Sequence, residues 1–205
     1  MLIDKSVQDF LDELASRAPV PGGGSIAALS AGLASALTEM VANLTIGKKG
    51  FEEVEEEMKK ISQESSDYRE NFLKDIDKDA EAFNKVMDAF KLPKNTPEDI
   101  NKRKQVIQKE FKNAALVPLE VAKDAVKLME FTSKVVEKGN KNAISDGAVA
   151  AMMARTAVLG ALYNVKINLQ SIKDKNFVNQ ISKQVHELES KAIEEEKKIL
   201  SNVDL

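Results

Sequence analysis

The chain has 205 residues, with 30 lysines and arginines against 33 aspartates and glutamates, a formal net charge of -3 and no cysteine. That length fits one domain with a substantial core. The near-balance of charge argues against nucleic-acid or membrane-surface binding driven by bulk charge, and the missing cysteine excludes disulfides, thiolate catalysis and cysteine-based metal centres. Met1-Leu2-Ile3-Asp4-Lys5-Ser6 lacks the basic region and apolar run of an export signal, so a cytoplasmic location is expected.

Apolar spacing near 3.6 predicts helices throughout and requires no strand. Ser6 to about Ala18 is a short amphipathic helix with Val7, Phe10, Leu11 and Leu14 on one face, ended by Pro19 and Pro21. Pro21-Gly22-Gly23-Gly24-Ser25 then opens a helix of small residues reaching about Ile46, with Ser25 placed as its N-cap. From Phe51 to about Lys91 runs a long charged helix whose inward positions are Met58, Ile61, Ser65, Tyr68, Phe72, Ile76, Asp79, Phe83, Val86 and Phe90. Thr96 and Pro97 start the next, which Pro118 is expected to kink or break near Val117 before it ends at about Lys138. A second helix of small residues follows Gly139-Asn140-Lys141-Asn142-Ala143-Ile144-Ser145-Asp146 and runs to about Leu169. A charged helix from Phe177 to Leu200 closes the chain.

Each small-residue helix carries a stripe at alternating steps of three and four: Ala28, Ala31, Ser35, Thr38, Ala42 and Thr45 on the first, Gly147, Ala150, Ala154, Ala157, Ala161, Asn164 and Asn168 on the second. Small stripes permit close helix approach and must be buried, either within the chain or against a second copy across a two-fold axis. The expected fold is therefore an all-α, single-domain helical bundle with two central small-residue helices, dimer-forming. Glu39, Arg155 and Lys166 interrupt these helices and speak against membrane spans.

Chemistry is expected where polar groups fall on inward faces. Asp79 shares a face with Phe72, Ile76 and Phe83; desolvation would raise its pKa into acid/base range, unless it serves as a cap or ion-pair partner. Asn164 and Asn168 lie on their stripe, so their amides are paired internally or offered to a ligand. Gly22, Gly23 and Gly24 either expose backbone N–H groups to an anionic or carbonyl ligand or form a tight turn. Lys48 and Lys49 partner a helix dipole or bind carboxylates. The single histidine, His186, sits in a charged helix, so no histidine triad or multi-histidine metal site is possible.

In order and spacing, Pro19-Val20-Pro21-Gly22-Gly23-Gly24-Ser25, Asp79-Ala80-Glu81-Ala82-Phe83, Leu92-Pro93-Lys94, Val117-Pro118-Leu119, Gly139 to Asp146 and Asn164-Val165-Lys166-Ile167-Asn168-Leu169 resemble the formiminotetrahydrofolate cyclodeaminase family, which includes methenyltetrahydrofolate cyclohydrolases. The resemblance spans nearly the whole chain. It implies a homodimeric enzyme acting on a tetrahydrofolate derivative, polyglutamylated forms included, with no metal and no nucleotide, and a formiminotransferase supplied as a separate chain. It places Asp79 and Asp146 as the acid/base and electrostatic groups, although Ser145-Asp146 is also an ordinary N-cap pattern. Asn140, Asn142, Ser145, Asn164 and Asn168 would hold the pterin edge beside the Gly22 to Ser25 turn, and Lys48 and Lys141 the glutamate carboxylates.

Overall fold

The computed structural model describes residues 1–204, which are helical with no strand among them. Six α-helices follow in order: α1 (Val7–Leu14), α2 (Gly23–Asn43), α3 (Glu55–Lys91), α4 (Pro97–Lys138), α5 (Ile144–Leu169) and α6 (Lys175–Leu200). Ser6 caps α1 by accepting from the Asp9 amide, and Thr96 and Asp99 form a reciprocal capping box at α4. α1 is shorter than expected, and a 3-10 turn over Glu52–Val54 precedes α3.

Helices α2 to α5 run alternately up and down. Ser25 meets Asp79 and Ser35 meets Ser65, which sets α2 antiparallel to α3; Lys138 reaches Glu57 from α4; Val136 lies against Gly147; and Gly23 lies against Asn164. α6 packs outside α5 and α4, held by Arg155–Glu196 and Lys166–Glu189 ion pairs. Both stripes are core within one chain. Ala28, Ala31, Ser35, Thr38 and Ala42 have no exposed surface, nor do Ala150, Ala154, Ala157 and Ala161. Burying these seams across a two-fold axis is thereby ruled out. Their hydroxyls are satisfied in place: Ser35 donates to the Ser65 carbonyl, and the Thr38 and Thr132 hydroxyls are 2.8 Å apart.

Two expectations fail for identifiable reasons. Pro118 does not break α4, which continues unbroken from Pro97 to Lys138. A helical proline frees the carbonyl four residues earlier; here that carbonyl, of Ala114, accepts from Asn168 Nδ2 at 3.0 Å, so a side chain of α5 replaces the missing bond. Replacing Asn168 by leucine should cost about 1–3 kcal/mol in denaturant unfolding, the price of an orphaned buried carbonyl. Phe83 and Phe90 are not core: they are 36% and 44% exposed, while Ala80, Ala82 and Ala89 take the inward positions. Finally, α2 and the Lys141–Leu169 segment are long and apolar enough to cross a membrane by length and composition. Half or more of each such stretch is buried in the bundle, and the three interrupting charges pair with neighbouring helices.

Candidate active site

At the end of the bundle where α2 begins, a cleft of about 320 Å³ opens between Gly22, Gly23 and Gly24, Asp79, Asn164 and Asn168. Val20, Phe83, Val86, Phe111 and Ile167 supply its apolar walls. Ser25 is not the N-cap of α2; Gly22 is, without a side-chain bond. Ser25 instead lies one turn in, fully buried, and donates to the Ile76 carbonyl at 3.1 Å and to Asp79 Oδ2 at 3.2 Å. The carboxylate caps α2 from a neighbouring helix, as one sequence reading of Asp79 has it, and lines the cleft at the same time.

Burial pushes the Asp79 pKa up, and the Ser25 hydroxyl and backbone amide partly oppose it by favouring the ionised form. The asparagines are half committed. Asn164 Nδ2 donates to the Gly160 carbonyl at 2.9 Å; Asn168 Nδ2 donates to Ala114 and also to the Asn164 carbonyl at 2.9 Å. Most of their amide hydrogens hold the helices, which leaves their carbonyl oxygens and the Asp79 carboxyl as acceptors beside the backbone N–H groups of Gly23 and Gly24 in the first turn of α2. Acceptors next to a helix N-terminus suit a ligand edge that carries both N–H groups and a carbonyl.

The three glycines serve space rather than conformation, since none has positive φ. A Cβ at Gly24 would overlap the Asp79 carboxylate, one at Gly23 would lie 3.1 Å from Asn164 Nδ2, and one at Gly22 would meet nothing nearer than the Pro19 carbonyl at 3.8 Å. The carboxylate thus rests on the bare first turn of α2.

The remaining expected residues gather at the opposite end. Asp146 and Asn164 stand on the same helix 18 residues apart, about 27 Å at the rise of an α-helix. There Lys48 Nζ donates to Asn140 Oδ1 at 2.6 Å, the Asn140 amide donates to Thr45 Oγ1 at 2.9 Å and Asn140 Nδ2 to the Leu44 carbonyl at 3.1 Å. Asn140 is therefore buried and spent on ties between the ends of α2 and α4, not displayed to a ligand. Lys141 caps α4 by donating to the Val136 and Glu137 carbonyls. Asn142 and Ser145 are exposed, and Asp146 is half-buried with no hydrogen bond or ion pair to any described residue. Ser145-Asp146 is not the N-cap of α5, a position held by Ala143. The expected single site is split in two.

Val20, Val86, Phe111 and Ile167 were not anticipated. Only the step of seven from Asp79 to Val86 marked one of them as neighbouring the carboxylate. An open groove of about 660 Å³, lined by Lys104, Gln108, Lys112 and Lys173, lies further along α4 and contains no carboxylate or buried polar side chain.

A profile described as Formiminotransferase-cyclodeaminase matches residues 6–187. The chain belongs to that family. A formiminotetrahydrofolate cyclodeaminase from Thermotoga maritima superposes with a TM-score of 0.89 at 33% identity, over 99% of this chain and 98% of that one. The methenyltetrahydrofolate cyclohydrolase of Methylorubrum extorquens is 40% identical over 189 residues, 92% of this chain and 91% of that protein. The formimidoyltransferase-cyclodeaminase of Mus musculus is 36% identical over 176 residues, 86% of this chain but 32% of that longer protein. Relatives within the family thus carry names for two reactions, and the mouse relative carries further sequence beyond the part this chain matches.

Proposed function

We propose that this chain is a folate one-carbon enzyme that closes the 5,10-methenyl bridge from 5-formiminotetrahydrofolate and releases ammonia. The observation that carries the reading is a half-buried carboxyl group, Asp79, at the wall of a cleft that also offers the side-chain carbonyls of Asn164 and Asn168. A tetrahydropterin edge is rich in N–H donors and fits those acceptors. In the reaction, N10 attacks the protonated formimino carbon. The Asp79 carboxylate takes the proton from N10 and delivers it to the departing amino group, and ammonia leaves as the N5–C–N10 cation forms. Protons and charge balance without a metal or nucleotide. A carboxyl with a raised pKa suits a group that both accepts and returns a proton near neutrality.

A second reading is favoured by the 40% identity to the Methylorubrum cyclohydrolase over almost its whole length. There water adds to the methenyl carbon as the same carboxylate removes its proton; that proton is returned to N5 as the C–N5 bond opens, and the hydroxyl loses its own proton to leave 10-formyltetrahydrofolate. Absorbance of the methenyl bridge separates the two. Formation from 5-formiminotetrahydrofolate with equimolar ammonia identifies the cyclodeaminase, accelerated consumption of 5,10-methenyltetrahydrofolate alone identifies the cyclohydrolase, and neither would refute the assignment to folate chemistry.

The pH dependence should follow Ser25. Removing its hydroxyl in Ser25→Ala takes away a bond that favours ionised Asp79, so the Asp79 pKa should rise further and the acid limb of the rate profile should move to higher pH. An unmoved limb would assign that limb to another group. A homodimer and a cytoplasmic location belong to the same reading: α2 and α5 leave large apolar side chains uncovered, and the folate relatives supply the context for the location. A formiminotransferase activity would supply the substrate, polyglutamylated or not.

A further inference from the structure

The Asp79 cleft does not hold the whole of the substrate proposed for it, which is a bicycle, a benzene ring and a glutamate joined in a row. At about 320 Å³ the cleft stands at the lower end of small-molecule sites. It takes the bicyclic head and the one-carbon unit, and the rest of the molecule lies outside. The lysines expected for the glutamyl carboxylates are committed elsewhere. Lys48 and Lys141 stand at the opposite end of the bundle, bonded to Asn140 and to the last carbonyls of α4.

A way out runs along α4. Phe111 and Ala114 form the cleft wall on that helix, and Ile107, one turn from Phe111, belongs to the open groove of about 660 Å³. After α5 the same step recurs: Asn168 lines the cleft, and Lys173, five residues on, lines the groove. The two hollows are therefore neighbours on both of the segments that wall them. Gln108 fixes their common border, donating from Nε2 to the Ser171 carbonyl at 2.9 Å and accepting at Oε1 from the Lys173 amide at 2.7 Å. The turn that carries Lys173 is thereby tied to α4.

Charge shows what the groove is built to meet. Lys104, Lys109, Lys112 and Lys173 line it, and no carboxylate does. Lysines elsewhere on α3 and α4 commonly pair with an acid one turn before, as Lys78 does with Asp75 and Lys123 with Glu120. Here Lys112 meets Asp174 at 2.7 Å, but Lys104, Lys109 and Lys173 have no ion-pair partner among the described residues. Glu110 is two residues from both Gln108 and Lys112, so it points to the other side of α4, where it accepts from Asn113 at 3.1 Å. Cations left unneutralised around a hollow concentrate the field there and draw in carboxylates.

We infer that this groove is the second half of the substrate site and takes the carboxylates of the glutamyl tail. The inference rests on the folate reading of the cleft. The pterin lies against Asp79, the p-aminobenzoyl ring crosses Phe111 and Ile107, and the tail carboxylates reach Lys112, Lys109 and Lys173. Lys104, farther along α4, meets any further γ-linked glutamate. These lysines lie away from the reacting atoms and bind substrate and transition state alike, so they set KM and not kcat.

A pair of substrates separates this role from a structural one. Rates are measured with whichever of the two folates the protein turns over and with its counterpart truncated at the p-aminobenzamide, in the wild type and in Lys109→Glu/Lys173→Glu. Both side chains are exposed, and circular dichroism checks that the variant folds. The wild type should show a KM about tenfold lower for the glutamyl substrate, roughly what two exposed lysine–carboxylate pairs supply, and added salt should shrink that advantage. The double reversal should raise the KM for the glutamyl substrate about tenfold or more, change kcat less than about threefold, and leave the KM for the truncated one where it was. No preference of the wild type for the glutamyl substrate, an unchanged KM in the variant, or an equal rise for both substrates would overturn the inference and leave the Asp79 chemistry standing. Absence of turnover with either folate in the wild type would instead sink the folate reading, and the inference with it.

Discussion

Asp79→Asn is expected to fold, to be at least as stable as the wild type at neutral pH, and to lose about two to four orders of magnitude in turnover, the usual contribution of a positioned acid/base group. Asparagine keeps the shape and an oxygen to accept from Ser25 but cannot take and return a proton. The stability expectation follows from the direction of the Asp79 shift. Its folded pKa is raised by burial, so the folded state binds the proton more tightly than the unfolded chain. The associated stabilisation is complete below the ordinary carboxylate range and is lost as pH rises through the raised value. At neutral pH the wild type therefore carries the cost of a partly desolvated carboxylate that the amide avoids. Urea unfolding at two pH values, with methenyl absorbance for turnover, checks both parts. A variant that is inactive because it is unfolded, or stable and fully active, would contradict them.

The glycine triplet should give a graded series. Gly24→Ala places a methyl group where the Asp79 carboxylate lies, so either the first turn of α2 unwinds or the carboxylate leaves its place; we expect a loss of about 1–3 kcal/mol from overpacking and near-complete loss of turnover. Gly23→Ala meets the end of the Asn164 side chain at 3.1 Å, which can yield by a few tenths of an ångström, and should be milder. Gly22→Ala has room and should be close to wild type. Equal effects at all three positions would point to backbone conformation and away from the Asp79 contact.

Much of this was legible from residue spacing. The periodicity predicts the five long helices, the buried stripes and the inward-facing Asp79, and the Asn164–Asn168 pair falls where amides need partners. A serine after glycines matches a capping pattern, and only the tertiary packing of α3 on α2 shows that the cap at Ser25 comes from Asp79. The compensation for Pro118 is not legible locally, because it comes from Asn168, 50 positions further on and on another helix. The splitting of the site did have a signal. Successive antiparallel helices alternate direction, so the heads of α2 and α5, three connections apart, must lie at opposite ends of the bundle. The number of connections alone therefore separates the Gly22 to Ser25 turn from the Asn140 to Asp146 segment. The apolar cleft walls were harder to read, because Phe111 and Ile167 fall within ordinary helical patterns and become site residues only through the register of α4 and α5.

The most direct measurement is a crystal structure of the protein with tetrahydrofolate bound. The account predicts the pterin edge in the cleft of Gly22 to Gly24, against Asp79 and the side-chain carbonyls of Asn164 and Asn168. A pterin seated instead along the lysine-lined groove of α4, with the Asp79 cleft empty, would contradict it.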